Sequence, residues 1–134
     1  MEENFDSTRV TMTMVRGCLV VPIQVELYDD TMLKLQDDIL EEVKEKMVKG
    51  VIIDLSAVNI IDLFLAQKIK EIISMVALMG AETILTGFKP EVAASLVDLD
   101  FDFEDIQMAI DQDDAFLKLD SMPQVLMETE DKDS

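Results

Sequence analysis

Two short segments of the 134-residue chain contain the polar residues best suited to binding a ligand or accepting a chemical group. The first runs from Ser56 to Asp62 and the second from Thr86 to Pro90. Their hydroxyl groups are of the kind that accepts phosphate in signalling proteins. A helix is predicted to start after each segment, and such a start offers unpaired N–H groups and a positive dipole end to an anion.

Each of these side chains also has a purely structural interpretation. Asp62 precedes an apolar-periodic segment, where an aspartate commonly caps a helix. Thr86 is either a modifiable hydroxyl or a turn residue beside Gly87. Asp54 ends an apolar run and could bind a metal ion or a phosphate, but hydrogen bonds to nearby backbone amides explain a lone carboxylate better.

The residue types that most enzymes need are missing. The chain has no histidine, which removes the usual general base near neutral pH and the commonest zinc ligand. The nucleotide-binding patterns GxxxxGK[ST] and GxGxxG, the esterase pattern GxSxG and the pair CxxC do not occur. We therefore expect no enzyme, no cofactor and no metal site, and we expect the single cysteine, Cys18, to be a buried, inert thiol.

Charge and hydropathy limit the partners. With 11 basic and 29 acidic residues, the net charge is −18. Such a surface repels nucleic acid and anionic lipid but permits a basic protein partner. No apolar run approaches the roughly 20 residues of a membrane span, and the start, MEENFDSTRV, lacks the basic-then-apolar order of a signal peptide. We expect a cytoplasmic protein that binds neither nucleic acid nor membrane.

Hydrophobic periodicity predicts an α/β fold in which strands and helices alternate. We expect about five strands in a mixed sheet and about four helices, with one antiparallel strand at the start. The predicted strands are Val10–Val15, Cys18–Val25, Val51–Leu55, Glu82–Leu85 and a short one near Ile106. The predicted helices run from Asp29–Thr31 to Met47, and over Asp62–Met79, Pro90–Val97 and Asp113–Met122.

Several local signals support these boundaries. Arg16-Gly17 is typical of a hairpin turn, and Gly80 stands where a left-handed residue ends a helix. Gly50 is expected to close the first helical unit, and Pro22 would fit a sheet only at an edge or a bulge. We expect a flexible segment over residues 1–8, one domain over 9–122, and an acidic, disordered tail over 123–134. The predicted buried stripe of the first helix is Met32, Leu35, Ile39, Val43 and Met47.

Three long segments resemble the STAS domains of the stressosome. They are VVPIQVELYDDTMLKLQDDIL (Val20–Leu40), VIIDLSAVNIIDLFLAQ (Val51–Gln67) and LMGAETILTGFKPEVAASLVDLD (Leu78–Asp100). The likeness covers about Val10 to Leu119 and favours the RsbS-like, single-domain branch, because we expect no additional N-terminal sensor domain. It implies the STAS, or anti-sigma factor antagonist-like, fold.

The resemblance implies a scaffold and switch rather than a catalyst. RsbS-like proteins co-assemble with RsbR-like STAS proteins in a large cytoplasmic shell and hold an RsbT-like switch kinase until phosphorylation releases it. The resemblance therefore implies that this protein forms a homodimer and a larger assembly with these two partners. It also implies that the assembly regulates a stress response. The partner-docking loops that it implies contain Ser56, Asn59, Asp62, Leu63, Phe64, Gly87, Phe88 and Lys89.

One position departs from the family. The family's phosphoacceptor serine or threonine follows the aspartate at the start of the second helix, and that position is Leu63, which has no hydroxyl to phosphorylate. The second family phosphosite matches Thr86, whose use here is open.

Leu63 has one of two consequences. Either the protein is a subunit that sequesters the kinase constitutively, or the leucine abolishes kinase binding and the subunit is purely structural. A STAS domain that senses a small anion or nucleotide and a simple anti-sigma factor antagonist remain alternatives.

Overall fold

A computed structural model describes residues 12–23, 29–100, 102 and 106–121 of the chain. These residues form nine elements of secondary structure. In chain order they are β1 (Thr13–Val15), β2 (Cys18–Pro22), α1 (Asp29–Lys46), β3 (Gly50–Asp54), α2 (Leu63–Leu78), β4 (Glu82–Thr86), α3 (Pro90–Asp98), β5 (Gln107–Ala109) and α4 (Gln112–Ser121).

The five strands make one sheet in the order β1-β2-β3-β4-β5. Strand β1 pairs antiparallel with β2, and β2, β3, β4 and β5 pair parallel with one another. Arg16 (φ 55°) and Gly17 (φ 78°) both have positive φ, as a tight two-residue hairpin turn requires. The predicted mixed sheet with one antiparallel strand at its start and four helices is confirmed.

Strand alternation divides the buried side chains between the two faces of the sheet. One face packs against α1, α2 and α3 and contains the larger apolar cluster, which includes Leu19, Val21, Val51, Ile53 and Leu85. The other face packs against α4 in a cluster of Cys18, Val20, Ile52, Ile84, Ala109, Ala115, Phe116 and Leu119. Within the described ranges, α4 is thus the one helix that contributes to the second cluster.

The boundaries of the central elements follow the sequence signals closely. Asp62 is the N-cap of α2, Gly80 follows the helix with φ 90°, and Pro90 is the first residue of α3. Pro22, however, lies neither at a sheet edge nor at a bulge. It is the last residue of β2, and the next N–H, of Ile23, donates to the Asp54 carbonyl at 2.9 Å, so the Pro22 nitrogen points away from β3.

The end of α1 differs from the prediction. Met32, Leu35, Ile39 and Val43 are buried as expected, but Met47 is exposed and has φ 48°. Met47 lies just after the last helical residue, so the left-handed turn that ends α1 takes it off the buried stripe. Gly50 does not end the helix; it is the first residue of β3, and a Cβ there would lie 2.7 Å from Leu119 Cδ2.

Some predictions fall on residues that the structure does not describe. These are the flexible segment 1–8, the tail 123–134, the first two residues of the first predicted strand, residues 24 and 25 of the second, and the end of the last helix at Met122. In the described ranges, no helix is both long and apolar enough to cross a bilayer.

Helix α4 is attached to the sheet by both apolar and polar contacts. Its Asp120 carboxylate accepts a hydrogen bond from the Lys49 ammonium just before β3, and its Lys118 ammonium donates to the Met108 carbonyl at 2.7 Å. The contact with Lys49 lowers the pKa of Asp120, mainly through the hydrogen bond, and the same bond raises the pKa of Lys49. Folding therefore favours the charged form of each group, and the ion pair stabilises the folded protein while both groups are charged.

This pairing predicts a pH-dependent effect of Asp120→Asn. Because folding lowers the pKa of Asp120, its contribution is present above the ordinary aspartate pKa of about 4 and is lost as pH falls through the lowered value. Because folding raises the pKa of Lys49, the contribution is also lost as pH rises through that raised value. We expect the variant to have a lower urea midpoint than the wild type at neutral pH, and the difference to shrink both in acid and in strong base.

Asp113→Asn, at an exposed position of the same helix, is the matched control. Urea unfolding of the three proteins between pH 3 and pH 11 measures the effect. A difference between Asp120→Asn and the wild type that stays constant over this range would contradict the assignment.

Candidate functional site

Three loops meet at one edge of the sheet. They follow β3, β4 and β5, and the carboxyl ends of parallel strands lie at the same edge. They comprise residues 55–62, 87–89 and 110–111. The edge therefore brings together the two polar segments of the sequence and adds a third loop that leads into α4.

The Asp54 carboxylate connects this edge to α4. Its Oδ1 accepts the Ser56 backbone N–H at 2.9 Å, and its Oδ2 accepts the Gln112 side-chain amide at 3.2 Å. The expected hydrogen bond from a backbone amide to this carboxylate is thus present. The same side chain ties the start of one loop to the first residue of α4.

Gly87 brings the loop after β4 against the loop after β3. It has φ 81°, and a Cβ on it would lie 2.5 Å from Asp54 Oδ1 and 2.9 Å from the Ser56 nitrogen. Any side chain at this position would therefore push the two loops apart. The Lys89 ammonium donates a hydrogen bond to Asn59 Oδ1 across the same pair of loops. Both predicted docking loops consequently form one connected surface.

Asp62 uses its carboxylate within the chain. Its side chain accepts the Leu65 N–H at 2.9 Å, and its carbonyl accepts the Ala66 N–H at 3.0 Å. With φ −111° and ψ 178°, the residue has the extended conformation usual for an N-cap. The start of α2 is therefore already occupied by a carboxylate of its own, which disfavours a second anion there.

Apolar side chains stand exposed around these polar contacts. Leu63, the first residue of α2, is 52% exposed, and Ile60 in the preceding loop is 82% exposed. Ile110, in the loop after β5, is 84% exposed. We call Ile60, Leu63 and Ile110 the edge triad. Exposure of large aliphatic groups at one edge is a mark of an interaction surface.

The two aromatic residues of the predicted docking loops are half-buried. Phe64 packs against the main core cluster, and the Lys68 ammonium lies 5.9 Å from its ring centre. Phe88 also packs on that cluster and lines an open apolar pocket beside Leu96 and Met108. Both rings thus anchor the loops more than they extend the exposed surface.

Sequence reasoning missed two members of the edge triad. Ile60 is followed by Ile61, which is 4% exposed and belongs to the core. Two adjacent apolar residues in a short loop rarely both face inward, and this was the available signal for Ile60. Ile110 gives no such signal, because its exposure depends on how the loop after β5 turns into α4.

Thr86 is in a different environment from the other predicted docking residues. It is 1% exposed, and its Oγ1 has no hydrogen-bond partner among the described residues. It pairs in register with Asp54 on one side and Ala109 on the other, and alternation with Ile84 puts its side chain on the face covered by α4. Ser56, by contrast, is exposed.

The edge is strongly acidic. The loops and the adjoining first helical turns contain a single basic residue, Lys89, whose ammonium is hydrogen-bonded to Asn59. Asp114 accepts the Ile110 N–H at 3.0 Å, and this backbone hydrogen bond is the main cause that lowers the pKa of Asp114. The six acidic residues of the edge are Asp54, Asp62, Glu91, Asp111, Asp113 and Asp114.

Comparison with known proteins gives relatives that include RsbT co-antagonist proteins. The chain is 28% identical over 96 residues to the RsbT co-antagonist protein RsbRD of Bacillus subtilis (strain 168), a match that covers 72% of this chain and 34% of the relative. It is 32% identical over 74 residues to the co-antagonist RsbRC of the same organism, covering 55% of this chain and 26% of the relative. The matches thus span between about a quarter and a third of the length of these curated relatives.

Solved structures give the same likeness in three dimensions. A Moorella thermoacetica RsbS variant, in which a serine is replaced by glutamate, has a TM-score of 0.74 and 29% identity, covering 84% of this chain and 95% of that one. A second match is a chain in the solved architecture of the stressosome, which is described as a signal integration and transduction hub. Its TM-score is 0.74 at 28% identity, and the match covers 82% of this chain and 96% of that one.

A more distant structure shares the fold alone. The anti-sigma factor antagonist SpoIIAA in its unphosphorylated form has a TM-score of 0.64 at 16% identity and covers 84% of this chain and 99% of that one. The family model that matches this sequence is the STAS domain, over residues 9–115. The chain belongs to the STAS domain family.

Proposed function

We propose that this protein is a non-catalytic, cytoplasmic stressosome subunit that co-assembles with RsbR-like STAS proteins and holds an RsbT-like switch kinase. The observation that carries the proposal is the exposed Leu63 at the capped start of α2, at the same edge of the sheet as the exposed Ile60 and Ile110. The relatives named as RsbT co-antagonists and the RsbS structure support it.

The edge triad provides the attractive part of the docking surface. Removing an exposed isoleucine or leucine side chain from water is worth about 1.5–3 kcal/mol when burial is complete. The six acidic residues around the triad add charge that selects a partner with a basic rim. Rigid loops limit the conformational cost of binding, and the contacts of Asp54, Gly87 and Lys89 supply that rigidity.

Leu63 determines how the proposed complex responds to the kinase. Phosphorylation at this position would add nearly two negative charges to an acidic edge and would repel a bound partner. Leucine has no hydroxyl, so this release step is absent here. The subunit then sequesters the kinase constitutively. If the leucine side chain instead blocks the kinase, the subunit is purely structural within the assembly.

Two other functions are distinguishable by experiment. A STAS domain that senses a small anion or nucleotide needs a free anion site, whereas the Asp62 carboxylate already caps α2 and Lys89 is bonded to Asn59. A thermal-shift screen with nucleotides and phosphate would detect such a ligand. A simple anti-sigma factor antagonist would bind an anti-sigma factor and would form no large shell with an RsbR-like protein, which electron microscopy distinguishes.

The first test concerns the phosphoacceptor position. Incubation of the wild type with an RsbT-like kinase, an RsbR-like protein and ATP should add no phosphate to residues 55–65, because Leu63 lacks a hydroxyl. Leu63→Ser should gain one phosphate there. Intact mass followed by peptide mapping measures both. A phosphate found on this segment of the wild type, for example on Ser56, would overturn the claim that the segment is silent.

The second test concerns docking. Leu63→Glu places a charge in the edge triad and should weaken binding of an RsbT-like kinase by about tenfold or more, as expected for a residue central to an interface. Leu78→Glu is the matched control, since Leu78 is the last residue of the same helix, is 88% exposed and lies at its opposite end. Calorimetric titration of the kinase measures both affinities. Equal affinities for the two variants would argue against docking at this edge.

A further inference from the structure

An apolar cavity on the surface is lined by α3, by β5 and by the loop after β4. It has a volume of about 220 Å³, and its five lining residues are Phe88, Ala93, Leu96, Val97 and Met108. We call it the α3 cavity. Leu96 is buried, whereas Val97 is 67% exposed and Met108 is 38% exposed. The α3 cavity is therefore apolar throughout and accessible from outside.

The small side chain of Ala93 keeps this space open. Ala93, Leu96 and Val97 follow one another at three- and four-residue spacing, which places them on one face of α3. Ala93 contributes only a methyl group to the wall that this face forms. A longer aliphatic side chain at position 93 would project into the α3 cavity and fill it.

The size of the α3 cavity indicates what could occupy it. Pockets for small molecules usually have volumes of roughly 300–1,000 Å³, which is more than this one offers. A single large apolar side chain suits the space, and such anchors in pockets are typical of protein–protein interfaces. Met108 forms one wall, and the flexible methionine side chain adapts to anchors of different shape.

The segment around the α3 cavity is acidic. From residue 90 to residue 117 the chain has nine acidic residues and neither lysine nor arginine. Glu91 and Asp98 are exposed on α3, and Asp100 is exposed just beyond its end. A partner that brings basic groups to this surface is attracted, whereas an acidic partner is repelled.

The two basic residues that border this segment do not reverse its charge. The Lys118 ammonium lies 3.4 Å from the Asp114 carboxylate and donates to the Met108 carbonyl at 2.7 Å. The Lys89 ammonium is hydrogen-bonded to Asn59. A second copy of this chain would bring another acidic surface against the first, so like charges oppose self-association through the α3 cavity.

We propose that the α3 cavity is a docking site for a segment of a partner protein in which one large apolar side chain is flanked by lysine or arginine. The apolar side chain fills the cavity, and the basic residues face the carboxylates of α3 and of the turn that follows it. The proposal goes beyond the kinase-docking edge and does not depend on it, because none of the edge triad lines the α3 cavity.

The unsubstituted chain tests the chemistry of the partner. The probes are three short peptides with blocked ends: Lys-Arg-Phe-Arg-Lys, Lys-Arg-Ala-Arg-Lys and Asp-Glu-Phe-Glu-Asp. Titration followed by amide NMR spectra of the isotope-labelled chain measures each affinity and locates each site. The basic phenylalanine peptide should shift the amides of Ala93, Val97 and Met108 and leave those of Leu78 and Met79, at the far end of α2, unchanged.

The other two peptides separate the apolar and the charged contributions. Loss of the phenyl ring should weaken binding by about tenfold or more, as expected for a buried apolar anchor. The acidic phenylalanine peptide should show no binding, and added salt should weaken binding of the basic one.

Two adjacent alanines provide a matched pair of variants. Ala93→Leu fills the α3 cavity and should lower the affinity for the basic phenylalanine peptide by about tenfold or more. Ala94→Leu makes the same change at an exposed position of α3 that does not line the cavity, and should leave the affinity within about twofold of the wild type. Leucine and alanine are both good helix formers, so neither change disfavours α3.

Several results would overturn the proposal. They are no binding of the basic phenylalanine peptide, shifts confined to another surface, equal affinity of the acidic peptide, and equal effects of the two leucine variants. Sedimentation that shows a dimer of the wild type dissociated by Ala93→Leu would assign the cavity to a second copy instead. Because no kinase is present, each of these failures leaves the docking proposal for the edge triad intact.

Discussion

The position of the Asp54 carboxylate is the constraint on which the site depends. One oxygen accepts the Ser56 N–H and starts the loop toward α2, and the other holds Gln112 at the start of α4. The close approach of Gly87 to the same carboxylate admits no side chain, so the loop after β4 must lie against it. A single half-buried side chain at the edge of the sheet thereby sets the relative positions of three loops and of the helix that covers Thr86.

The sequence predicts those features that depend on short-range chemistry. Asp62 as an N-cap, Gly80 after α2 and Pro90 at the start of α3 each follow from backbone preferences within a few residues, and all three are present. The predicted burial of Met47 was wrong, because a left-handed turn, rather than the helical period, determines where that side chain points. Periodicity predicts the buried face of a helix but not the residue at which the helix stops.

The features that sequence could not predict depend on long-range packing. Thr86 looks like an exposed loop hydroxyl from its neighbours, and its burial arises from α4, which begins 26 residues later at Gln112. The exposure of Ile110 likewise depends on the turn into α4. The family resemblance predicts phosphosite positions at Leu63 and Thr86, and the sequence gives their residue types. The packing adds that Leu63 is exposed and Thr86 is buried, so the two positions differ in access as well as in chemistry.

The proposed role requires that the kinase stays bound in the presence of ATP because Leu63 cannot be phosphorylated. The most direct measurement is retention of an RsbT-like kinase on the immobilised protein, assembled with an RsbR-like partner, after addition of magnesium and ATP. The account predicts that the wild type retains the kinase, whereas Leu63→Ser releases it as phosphate accumulates. Release from the wild type at the rate seen with Leu63→Ser would contradict the account.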